Sequence, residues 1–146
     1  MGLFGNVFGE KSTQRFTSAE AFAGVLLGAV ACDGHISGEE ADGLWVITQR
    51  MRLYDNWTGE KFSSMMSKLV KLHKREGDDV LLQKCAASLP DELCETVFAN
   101  ACDLVLADGE VEDEEEEFIN KLQRILNITN ETAAKIADVI VIKNRG

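Results

Sequence analysis

Two short stretches carry the residue types in this chain that could do chemistry. Asp33-Gly34 is followed by Glu39 and Glu40, and Asp108-Gly109 by Glu114 and Glu115. Residues 29–44 and 104–119 align at a fixed offset of 75, which also pairs Ile36 with Val111 and Leu44 with Ile119. Each Asp stands at the end of a very apolar segment, and the Glu seven residues on opens an amphipathic one. Gly permits a tight turn between two helices, with Ile36 or Val111 plugging the corner into the core. Two carboxylates are then held near one corner. The letters match the second half of an EF-hand loop, but the first half fails. Ala29 and Ala31, or Leu104 and Leu106, stand where the first acidic ligands belong. The economical arrangement is two half-sites that meet and pool Asp33, Glu40, Asp108 and Glu115, with Glu39, Glu114 and His35 as secondary candidates.

Carboxylates are hard oxygen donors and suit Ca²⁺, Mg²⁺ or Mn²⁺. Ca²⁺ is the first choice because it tolerates irregular geometry, whereas Mg²⁺ keeps its waters. Zn²⁺ is the runner-up if His35 takes part. The alternative is capping alone, with the Asp residues on turn amides and the Glu residues at helix dipoles. Capping needs one or two acids per hairpin, and residues 108–117 hold eight. Most of those make a solvated face in either case.

The positioning elements are helices. From Thr17 onward apolar residues recur at spacings of three and four, with a single proline, Pro90. The fold expected is an all-α, compact bundle of about seven helices containing a duplicated helical hairpin. Ser18 caps the first helix, and Gly24 and Gly28 let a neighbour approach closely. Ser37 and Glu40 form a capping box. Residues 53–58 turn; Gly77 stops the third helix; Asp78 caps the fourth; Pro90 sits in the first turn of the fifth. Thr129 or Asn130 caps the seventh, where Val139 to Ile142 is locally β-prone. Residues 19–51 and 94–126 should superpose, with 19–33 and 91–107 packed centrally as the most apolar segments. Residues 17–146 form a single domain behind a loose arm, 1–16, whose Leu3, Phe4, Val7 and Phe8 lie on the domain or anchor it to a membrane or partner.

Composition excludes several function classes. The 146 residues are 45% hydrophobic and 27% charged with a net charge of −10, as in a folded globular chain. Twelve acids and no bases lie between Asp91 and Glu117, while Arg50 to Arg75 carries seven bases against Asp55 and Glu60. That acidic pole disfavours nucleic acid and favours cations or a basic protein partner. The longest apolar run, residues 21–32, is too short for stable membrane insertion. Cys32, Cys85, Cys94 and Cys102 lack CxxC spacing and read as buried, reduced thiols of a cytoplasmic protein. His73, beside Lys74 and Arg75, reads as a surface residue. There is no Glu-x-x-His, His-Glu-x-x-His, phosphate loop or nucleophile motif, so the chain is expected not to be an enzyme; a carboxylate-only hydrolytic metal site is the remaining enzymatic alternative.

The motifs Cys-Asp-Gly-x-Ile-x-x-x-Glu at 32–40 and Ala-Asp-Gly-x-Val-x-x-x-Glu-Glu at 107–116 resemble those of the tellurite-resistance TerB-like family. So does the helix 91–107 before the second motif, and the Ile125-Leu126-Asn127-Ile128 that follows. The resemblance covers roughly residues 18–142. It implies a compact helical fold, a divalent-metal site at Asp33, Glu40, Asp108 and Glu115, and a part in tellurite resistance or a related stress response. The alternative function is an acidic interaction adaptor with at most a structural metal.

Overall fold

The computed structural model describes residues 16–32, 36, 38–106 and 109–145. Among these there are seven α-helices and no strand: α1 (Ser18–Ala31), α2 (Gly38–Thr48), α3 (Gly59–Glu76), α4 (Asp78–Ser88), α5 (Asp91–Leu106), α6 (Asp113–Ile125) and α7 (Asn130–Lys143), with a 3₁₀ turn at Arg52–Tyr54. The all-α expectation holds, including α7, whose β-branched run stays helical because Ile136 and Ile140 pack on the core.

The bundle is organised around α1. Eleven of its fourteen residues are buried, so it has no solvent face and the other helices enclose it. Its cap is Thr17 rather than Ser18: Glu20 N–H donates to Thr17 Oγ1 (3.1 Å) and Thr17 N–H to Glu20 Oε1 (2.8 Å), a reciprocal capping box. The close approach expected at Gly24 and Gly28 is made by α4 and α6. A Cβ on Gly24 would lie 2.3 Å from Cys85 Sγ, and one on Gly28 would lie 3.1 Å from Phe118 Cε1. Phe22, Leu26, Leu81, Leu82, Phe98, Phe118 and Leu122 fill the interior around this helix.

Helix α5 differs from the expectation. It buries one face, through Val97, Phe98, Ala101, Cys102 and Val105, and leaves Asp91, Glu92 and Glu95 in solvent. Acids on the outer face make it amphipathic, so only α1 is enclosed. Two thiols, Cys85 and Cys102, are buried as expected, while Cys32 and Cys94 are half-buried. Gly77 ends α3 with φ +91°, its N–H donating to His73 O. It also occupies the cap position of α4, which displaces Asp78 from capping to the first helical residue.

The duplication extends beyond a hairpin. Helices α1 and α5 end at Ala31 and Leu106, and α2 and α6 begin at Gly38 and Asp113, each pair 75 residues apart. Each unit then adds a Thr-capped helix: Thr58 accepts from Lys61 N–H, and Thr129 from Thr132 N–H. These two caps are 71 residues apart, because the first unit holds the extra 3₁₀ turn. Tyr54 pins that turn, its buried hydroxyl donating to Ala19 O at 2.6 Å. Helix α4 stands between the two units as an unrepeated connector packed along α1.

Candidate functional site

At the first corner α1 closes through Cys32, whose thiol donates to Ala29 O (3.2 Å). Ile36 is half-buried and packs on the core, as the plug expected there. Glu39 and Glu40 lie in the first turn of α2 and are exposed. Asp33, His35 and the expected cap Ser37 fall outside the described residues.

At the second corner Gly109 takes φ +80°, its N–H donating to Leu106 O (3.1 Å), which is the conformation that demands glycine. Asp108 falls outside the described residues. Val111 does not plug the core: it is 44% exposed, because the acids on either side of it hold the turn in water. Glu112 caps α6, with its N–H donating to Glu115 Oε1 (2.9 Å) and its side chain accepting the Glu115 N–H. Asp113, Glu114, Glu115 and Glu116 fill the first turn, where the helix dipole favours negative charge. Glu115 therefore has a capping role whatever else it does. A carboxylate offers about four lone-pair positions, so one oxygen on a backbone amide leaves donor capacity for a cation.

The two glutamates are carried by helices that share a support. Helix α2 packs on α1 and α3, and α6 on α5, α1 and α4. Among the described residues no group of three or more His, Cys, Asp or Glu is gathered in a metal-holding arrangement. The two aspartates that would complete the quartet are not among those residues.

One polar cluster escaped the sequence. His73 is half-buried rather than on the surface, and its Nε2 lies 3.2 Å from Asp78 Oδ1 across the Gly77 turn. Burial pushes the Asp78 carboxyl above its usual range, and His73 partly offsets that. Next to it Asp79 pairs with Lys121 of α6, and that contact holds the Lys121 ammonium above its ordinary value. The spacing His73–Asp78 around a glycine was a local signal. The reach to Lys121, forty-two residues on, had none.

A groove of about 460 Å³ lies between α2 and α3, floored by Trp45, Phe62, Met66 and Val70 and edged by Asp42, Lys71 and Lys74. Its lining holds one carboxylate and no His or Cys, so it offers no acid–base pair. No helix among the described residues is long and apolar enough to cross a membrane. The family model for tellurite resistance protein TerB matches residues 19–138, which takes in both corners, α2 to α6 complete, all of α1 but Ser18, and the first nine residues of α7. No curated protein and no solved structure matches the chain.

Proposed function

The chain belongs to the tellurite resistance protein TerB family, and on that footing we propose that it is a non-enzymatic, divalent-cation-binding module of tellurite resistance or a related stress response. Its ligands are Asp33, Glu40, Asp108 and Glu115, with Ca²⁺ the first cation and Zn²⁺, Mg²⁺ or Mn²⁺ the alternatives. The observation that carries this is the repeated corner. Helix ends and helix starts keep the 75-residue offset of the motif, so the same Asp and Glu positions recur on two like frameworks. Both framework glutamates sit in first helical turns. Four carboxylates gathered without a cation would repel one another and hold their protons, so a cation should favour the folded state. The absence of disulfides among the four thiols suits a reducing, cytoplasmic setting.

The test is a set of thermal melts with Ca²⁺, Mg²⁺, Mn²⁺, Zn²⁺ or chelator. A cation at a hundred times its dissociation constant should add about 2.7 kcal/mol. Asp33→Asn with Asp108→Asn should remove that gain. If no cation raises the parent's midpoint more than the double variant's, the corners are helix caps only.

One observation favours a second reading, an acidic docking surface for a basic protein. The first turn of α6 exposes Asp113, Glu114 and Glu116, more charge than capping needs. A basic partner whose binding is unchanged by chelator, and is lost on replacing those three acids, would establish it.

A further inference from the structure

We propose that the groove between α2 and α3 binds a small planar anion, an aromatic ring that carries a carboxylate or a phosphate. The ring lies against Trp45, and the anionic group meets Lys71 and Lys74. On α3, Ser63, Ser67, Lys71 and Lys74 follow at spacings of four, four and three, so they form one line along the helix. All four are exposed and line the groove. Among the described residues no ion pair reaches Lys71 or Lys74, whereas Arg75, Lys84, Lys121 and Lys143 each have a carboxylate partner. Two hydroxyls and two ammonium groups are thus offered along one side of the groove. On the α2 side Asp42 can accept from a ring N–H or amino group.

The duplication separates what the frame requires from what this groove adds. Helices α6 and α7 pack on α5 as α2 and α3 pack on α1. At the offsets of 75 and 71 that relate the units, Trp45, Phe62, Met66 and Lys71 are answered by Asn120, Ala133, Ala137 and Ile142. Only Lys74 has a basic counterpart, Arg145. The same frame therefore stands without an aromatic pair and without a second lysine. In the first unit Trp45 and Phe62 meet with ring centroids 5.1 Å apart. Phe62 is buried and Trp45 half-buried, so Phe62 backs the indole, which keeps surface for a further ring. Stacking accepts many rings, so the groove selects a class of compound. Its volume of about 460 Å³ lies in the range of small-molecule sites, roughly 300–1,000 Å³. The net charge of −10 disfavours a polyanion that reaches past the lysines, whereas a small anion feels only charges within about 8 Å.

The full chain is titrated with 2-naphthoate, with adenosine monophosphate and with the neutral 2-naphthamide, followed by calorimetry and by the Trp45 indole signal in NMR. At least one of the two anions should move that signal saturably at one site per chain, and which one does so tells carboxylate from phosphate. Lys71→Gln with Lys74→Gln, at exposed positions that leave the core intact, should weaken binding about tenfold. Trp45→Asn, which installs the residue of the second unit, should weaken it about tenfold as well. Lys61→Gln with Lys68→Gln removes two bases of α3 that line a different groove, beside Trp57, and should change affinity less than about twofold. The proposal is overturned if neither anion moves the Trp45 signal at millimolar concentration. It is overturned equally if the neutral amide binds as tightly as the naphthoate, or if the Lys61 and Lys68 pair of substitutions weakens binding as much as the Lys71 and Lys74 pair.

Discussion

Gly24→Ala should be a destabilising substitution even though alanine is the better helix former. The added Cβ would stand 2.3 Å from Cys85 Sγ, whereas ordinary contact begins near 3.4 Å. The two helices must therefore part by about 1 Å, or Cys85 must turn away. Turning has a cost of its own, because Cys85 is fully buried and one of its rotamers is disfavoured in a helix. Parting α1 from α4 would loosen Leu81 and Leu82, both without solvent exposure. Overpacking of this kind costs about 1–3 kcal/mol, and the Gly-to-Ala propensity gain returns up to about 1 kcal/mol. The net loss should be about 1–2 kcal/mol, or roughly 3–8 °C in Tm for a domain of this size. Cys85→Ala removes the obstructing sulfur at a cost of about 1 kcal/mol. In that background Gly24→Ala should be neutral or stabilising, which gives a coupling of at least about 1 kcal/mol in the double-mutant cycle. Calorimetry on the four proteins reads this directly. A Gly24→Ala protein that melts at or above the parent, with Cys85 present, would falsify the packing argument.

Tyr54→Phe leaves the buried Ala19 carbonyl without its 2.6 Å donor and should lower stability by about 1–2 kcal/mol in urea titrations; an unchanged midpoint would mean the 3₁₀ turn is not pinned by that bond. Alkaline stability should fall between about pH 9 and 12, because burial pushes the Cys85 and Cys102 thiols up to about 12. The sign follows from the protons: above 9 the unfolded chain releases them while the folded chain holds them, so each step in pH favours unfolding. For Cys85 the rise from 9 to about 12 corresponds to at most roughly 4 kcal/mol, and Cys85→Ala should flatten the curve. Asp78 should titrate above 3.8 in carboxyl NMR because burial raises it, and His73→Ala should move it higher still; the folded chain keeps that proton longer than the unfolded one, so this group favours folding as pH falls. A downward move in His73→Ala would contradict the pairing.

The helices were legible because their signals are local. Spacing by three and four marked the apolar stripes, Gly77 marked a stop, and Thr129 a cap. The repeat announced the corners through Gly109, whose positive φ only glycine adopts easily. What escaped depended on partners distant in sequence. Whether Val111 turned inward was decided by the charges around it, and His73 became half-buried because α4 folds back across Gly77. The difference between α1 and α5 was legible in part, since both are apolar by composition. Only the placement of Asp91, Glu92 and Glu95 on one face sets them apart. The quartet of carboxylates spans both units, and no local pattern fixes how far apart two units sit.

The enclosed first helix has a consequence for how the protein can come apart. It belongs to the first unit of the duplication yet lines the interior for α4, α5 and α6 as well. Neither unit can keep its apolar face dry without the other, so a partial opening that frees one half would strip the lining from its neighbour. The amide protons of residues 21–29 should therefore exchange with solvent only when the entire chain opens, at a single common free energy. The two repeated corners thus stand in a chain whose halves share one interior.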